Sequence, residues 1–298
     1  MGYMSFDVER IDKSSRRVKR FFRKNSRRPS STAIHDMRTS IRSLETTFTT
    51  VGLDSKGKVR RLLHDLRDMR KRAGKVRDMD VLMADALTLS DDEERDCLVQ
   101  LLEYLGAERN KNAKKLHRAI RTTGSQFQND LKRKLKQLLR VLKQSENNDS
   151  AHSDAAPLAI AKAIELSSGL KSPTKLNRNN LHPYRLRVKE LRNVLQLSDQ
   201  ANDQEFVEKL GEVKDAIGEW HDWEELAAIA VQLLDHGESC GLKKHLHVNC
   251  KSALERALII TSRFRDRYLK STGPRHGSRN SKFTALSGPV LRAASAIA

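Results

Sequence analysis

Two stretches far apart in this chain repeat one another. Ile34-His35-Asp36-Met37-Arg38-Thr39-Ser40-Ile41-Arg42-Ser43-Leu44 aligns with Leu181-His182-Pro183-Tyr184-Arg185-Leu186-Arg187-Val188-Lys189-Glu190-Leu191, and each holds a histidine followed at i+3 and i+7 by Arg or Lys. A second pair of blocks follows in the same order, Arg70 to Asp78 matching Lys214 to Asp222. Two blocks kept in order point to duplication, which confines the chain to an architecture of two similar halves.

The period inside the first pair is helical. On a wheel of about 100° per residue with His35 at zero, Arg38 falls at about −60° and Arg42 at about −20°. Ile34, Met37, Ile41, Leu44 and Phe48 form a separate apolar face beside them. The second copy repeats both faces, with Leu181, Tyr184, Val188, Leu191 and Leu195 apolar and His182, Arg185, Lys189 and Arg192 basic. For one helix, a solvated face is the plain explanation, because Lys and Arg are mostly exposed. A solvated face needs no register, however, and both halves place histidine at the same phase beside cations with few acids on the stripe. Glu45, aligned with Arg192, is the exception. Two such helices from packed halves could face each other across one basic cleft. Pro183 restricts the residue before it, so His182 is expected at the N-cap of its helix, where free N–H groups favour an anion. A capping or core role is the plain alternative for either histidine.

Elsewhere, apolar residues recur at helical spacing and no run alternates as a strand does. The spacing predicts helices over 6–24, 30–50, 55–73, 76–88, 91–122 and 125–144, then 157–169, 183–199, 203–218, 221–237 and 240–270. Gly52 stops the second of these, Gly74 and Gly124 punctuate later ones, and Ser90 to Glu93 resembles a capped, acidic helix start. A polar stretch, 146–156, reads as a linker between a first half, 5–145, and a second half, 157–270, followed by a flexible tail over 271–298. The fold class is all-α.

Charge narrows the function. Against 38 Asp and Glu stand 57 Lys and Arg, a formal net charge of +19 over 298 residues, which draws in polyanions. No apolar run approaches the roughly 20 residues that span a bilayer, and the N-terminus lacks a signal peptide's apolar middle, so a soluble intracellular protein is expected. The basic N-terminal segment contains Asp7, Glu9 and Asp12, which suits a first bundle helix better than a membrane anchor. Cys97, Cys240 and Cys250 are odd in number and widely spaced, so they form no disulfide framework.

Enzyme readings find little support. His35 and His64-Asp65, with His221-Asp222 further on, superficially resemble the ligand order of HD-type metal-dependent phosphohydrolases. The repeat duplicates His35 but not His64. Cys240, His245, His247 and Cys250 have a spacing outside the usual zinc patterns. No phosphate-cradling glycine loop or nucleophile elbow occurs.

The repeated blocks resemble the CHAD family, histidine-bearing α-helical domains whose members bind inorganic polyphosphate. Its opening motif, roughly V-H-x-x-R-V-x-x-R-R-L-R, fits the first copy at His35, Arg38, Arg42 and Leu44 and departs at Ser43 and Glu45. The second copy fits at His182, Arg185, Lys189, Leu191 and Arg192. The family's L-G-x-x-R-D-x-D-V-L block is matched by Ala73 to Leu82, with a second-half relative from Ile217 to Trp223. The resemblance implies two pseudo-symmetric four-helix-type bundles with a basic central groove and no catalysis or cofactor. It implies polyphosphate binding by His35, Arg38, Arg42, Arg70 and Arg77 and by His182, Arg185, Lys189, Arg192, Lys214 and His221. Lys111, Lys115 and Arg118 on a long central helix are candidates to extend the groove. Polyphosphate carries no bases, which suits a chain with 5% aromatics, and nonspecific nucleic-acid binding is expected at low salt. The expected location is the cytoplasm, with polyphosphate granules the place such a ligand would hold it.

Overall fold

A computed structural model describes residues 8–54, 57–89, 95–147, 155–197, 204–235 and 240–269. These form α1 (Val8–Lys24), α2 (Ser31–Thr50), α3 (Gly57–Ala86), α4 (Arg95–Asn147), α5 (Ala155–Gly169), α6 (Arg178–Leu195), α7 (Gln204–Leu233) and α8 (Gly241–Tyr268). No strand occurs among the described residues. Ser90 to Glu93, most of the linker and the 271–298 tail lie outside them.

Local signals set several of these limits. The Ser30 side chain accepts the Ala33 N–H at 3.2 Å and caps α2 at its start. At its end Gly52 takes a φ of +67°, a left-handed conformation that favours glycine. The start of α6 differs from expectation. Its N-cap is Asn177, whose side chain accepts the Asn179 N–H at 3.0 Å while Asn180 accepts the Asn177 N–H at 2.8 Å. This reciprocal cap begins the helix ahead of His182, so Pro183 lies within it and His182 caps nothing. The reciprocal cap, with buried Leu181 and Tyr184 on either side of the proline, holds the first turns although Pro183 lacks an N–H.

Glycine also misleads as a stop signal. The expected breaks at Gly74, at Gly124 and over 219–220 are absent, since α3, α4 and α7 run straight through them. A mid-helix glycine costs only about 1 kcal/mol relative to alanine. The buried row of α3 continues on both sides of Gly74, from Leu66, Met69 and Ala73 to Val76, Met79 and Leu82. At roughly 1.5–3 kcal/mol per large buried side chain, that row outweighs the glycine.

Helices α1 to α4 pack in sequence, with α4 returning to α1, while α5 packs on α6, α6 on α7 and α7 on α8. The second half thus follows the order of the first, with α3 and α7 each 30 residues long. The halves meet where equivalent helices touch, α2 against α6 and α3 against α7, and α5 also reaches α2. Both expected apolar rows are core: Ile34, Met37, Ile41, Leu44 and Phe48 in α2, and Leu181, Tyr184, Val188, Leu191 and Leu195 in α6. Cys97 and Cys240, distant in sequence, are buried thiols with sulfurs 4.0 Å apart, where the start of α4 meets the start of α8.

Candidate functional site

With their apolar rows buried in the core, α2 and α6 present their basic rows to one another. The cleft between them has a volume of about 720 Å³ and brings together His35, Arg38 and Arg42 from α2, Arg77 from α3, His182, Arg185, Lys189 and Arg192 from α6, and Lys214 and His221 from α7. Of the eleven residues that the resemblance implies for polyphosphate, all but Arg70 therefore share one space. Lys115 and Arg118 stand exposed on α4 and line neither this cleft nor its neighbour.

The arginines are held from behind. Arg185 donates through Nε to the Lys214 carbonyl at 3.1 Å, and Arg192 to the Val207 carbonyl at 3.3 Å. Arg77 donates to the Ser31 hydroxyl at 2.7 Å, at the first residue of α2. The guanidinium groups of Arg38, Arg185 and Arg192 lie against Gly74, Gly218 and Gly211. An alanine Cβ at Gly218 would sit 2.6 Å from Nη2 of Arg185. The glycines of α3 and α7 thus make room for arginines arriving from α2 and α6.

Carboxylates in the cleft are fewer than cations. Arg10, which pattern reading missed, joins from α1 and donates to the Gln196 carbonyl at 2.9 Å, bringing the lining to eight Lys and Arg against Asp78, Asp215, Asp222 and Glu225. Arg38 faces Asp78 at 3.5 Å, and Lys214 pairs with Asp215 at 2.7 Å. Arg42 and Lys189, equivalent in the two copies, have no carboxylate within ion-pair distance among the described residues. Burial, reinforced by Arg42, Arg185, Arg38 and Lys214, pushes the Lys189 ammonium down to about 6. Burial, with Arg70 and Arg38 nearby, brings Arg42 down to about 10.

The other titratable groups respond to the same surroundings. His35 is lowered by burial and by Arg77, and His182 by burial, His221 and Arg185. The His182 and His221 rings sit 4.6 Å apart between centroids, and Nδ1 of each is buried without a hydrogen bond. Burial raises the Asp222 carboxyl to about 7, with Asp85 and Asp78 adding to the shift and Arg185 opposing it. Burial also raises Asp78 against the pull of Arg38.

Arg70 belongs to a second hollow of about 740 Å³, which shares Arg42, Lys189 and Asn193 with the cleft. There Glu45 accepts from Arg70 Nε at 2.7 Å and faces Arg67 at 3.9 Å. The motif departure at Glu45 therefore ties up two cations of the first half. Its counterpart Arg192 lies over Gly211, which aligns with Arg67.

The residues of the enzyme readings do not converge. His64 is 80% exposed beside Asp65 at 3.5 Å and lines neither hollow. Among the described residues, no group of three or more His, Cys, Asp and Glu side chains is placed to hold a metal ion. No helix among them is long and apolar enough to cross a membrane.

Comparison with known proteins identifies the fold and the family. The crystal structure of the CHAD domain from the plant Ricinus communis superposes with a TM-score of 0.60 at 15% identity, covering 89% of this chain and 92% of that one. Among curated proteins, none matches the sequence. The family model for the CHAD domain matches residues 11–231, a span that takes in both basic helices and the blocks of α3 and α7 that hold their arginines. The chain belongs to the CHAD domain family.

Proposed function

We propose that the cleft binds inorganic polyphosphate and that the protein is a binding module without catalysis. The observation that carries this reading is the juxtaposition of Arg42 and Lys189, partly buried among further cations and without a carboxylate of their own. Cations held so close repel each other and lose hydration, and a linear anion threaded between them relieves both costs. Arginine forks take two phosphate oxygens each, while lysine acts as a point charge. No Phe, Tyr or Trp is among the residues lining the cleft, so it lacks the large aromatic rings on which single strands usually stack.

The test compares affinity for long-chain polyphosphate with affinity for single-stranded DNA across a salt series, using Arg38→Gln, Arg185→Gln and Lys189→Gln. Polyphosphate is expected to bind more tightly at every salt concentration. Each variant should weaken it by about tenfold, the order of one lost charge-assisted contact. Equal affinity for the two polymers, or variants that bind as the parent does, rejects the proposal.

A further inference from the structure

We infer that the outer face of α4, away from the cleft, is a separate binding surface for the phosphate backbone of duplex nucleic acid. Wheel positions on α4 place Lys114, Lys115, Arg118, Arg121, Lys132 and Lys136 within about 120° of one another, opposite the buried row of Leu116, Ile120, Phe127, Leu131 and Leu135. All six are exposed, and none has a carboxylate within ion-pair distance among the described residues. Asp130 and Glu108 flank the row and are taken by Arg133 and Lys111. From Lys114 to Lys136 the helix rises about 33 Å, close to the ~34 Å of one duplex turn. Helix α1, which packs on α4, exposes a row of its own in Lys13, Arg17, Arg20 and Lys24.

The shape of this surface distinguishes it from the cleft. A thin flexible anion gains most where cations converge on it from several sides, whereas an open helix face touches a ligand from one side only. A rigid rod already carrying about one negative charge per 1.7 Å of axis suits such a face. Single strands bind best on aromatic platforms, and an anionic bilayer holds a helix most firmly when apolar anchors add to its charge. Neither Lys111–Lys136 nor α1 has an exposed large apolar side chain among the described residues.

The experiment measures binding of the full chain to a labelled DNA duplex of roughly two turns, about 20 base pairs, over a salt series. One variant combines Lys114→Gln, Lys115→Gln, Arg118→Gln and Arg121→Gln; a second combines Lys132→Gln and Lys136→Gln. The first should weaken duplex binding by at least about tenfold and flatten the slope of log K against log salt by about 2 to 4, with a smaller effect in the second. Both should keep the parent's response to long-chain polyphosphate, whatever that response is. Arg185→Gln with Lys189→Gln should leave the duplex affinity as it was. Unchanged duplex binding in both α4 variants overturns the inference. So does an equal loss of polyphosphate binding in them, which would make α4 part of one continuous polyphosphate path. A loss confined to vesicles of equal parts phosphatidylserine and phosphatidylcholine overturns it too.

Discussion

Lys189 carries a stability cost that an anion in the cleft would relieve. Its ammonium titrates near 6 in the folded chain and near the ordinary lysine value when unfolded. Between those values the unfolded chain holds the extra proton, so stability rises with pH across the window and the full cost is present below about pH 6. Lys189→Met keeps most of the stem and removes the charge. At neutral pH and low salt, urea denaturation should show this variant more stable by on the order of 2 kcal/mol, with the gain shrinking towards pH 10. A variant less stable than the parent at pH 7 would mean that packing, rather than charge, decides this position. The sequence placed Lys189 beside Arg185 on one helix. It also placed Arg42 on the facing basic row, but not which residues of the two rows meet; Arg42, from the other half, supplies the largest cationic push after burial itself.

At the level of the helix, the glycines of α3 and α7 carry the lesson. Read along the chain they are punctuation, yet they face arginines that only the packed structure brings to them. Two alanine substitutions separate the cases. At Gly74 a Cβ would meet Arg38 at 3.7 Å, an ordinary contact, so Gly74→Ala should gain about 0.5–1 kcal/mol in helix preference and leave polyphosphate affinity unchanged. At Gly218 the added carbon would displace the Arg185 guanidinium from the Lys214 carbonyl. Gly218→Ala should therefore melt no lower than the parent but bind polyphosphate several-fold more weakly, which thermal denaturation and titration would show together. The apolar rows of α2 and α6 were legible because their periodicity is local to each helix. The N-cap of α6 was not, because the Asn177 and Asn180 pair competed with the stronger signal of Pro183. Arg10 was out of reach for a different reason. Nothing within α1 indicates that its first turns approach the end of α6.

For the whole molecule, docking the two halves makes a cleft whose charge depends on pH, with Lys189 and two histidines held low and the Asp78 and Asp222 carboxyls held high. Around Lys189 stand His35, Arg38 and Arg42 from α2, Arg77 and Asp78 from α3, His182, Arg185 and Arg192 from α6, Lys214, Asp215, His221, Asp222 and Glu225 from α7, and Arg10 from α1. In the empty cleft at pH 7, Lys189, His35 and His182 are held below their usual values, and Asp222 is near half-protonated. A polyphosphate chain favours the protonated form of every one of them, so each has a higher value in the complex than in the free protein. The complex then binds more protons than its parts, and affinity falls as pH rises through the window between free and bound values. The expected result is proton uptake on binding, measured by calorimetry in two buffers of different ionisation heat, with affinity dropping several-fold per pH unit from about 6 to 8. Lys189→Gln together with Asp222→Asn should flatten that dependence. Proton release, or an affinity indifferent to pH over this range, would show that polyphosphate does not enter the space between α2 and α6.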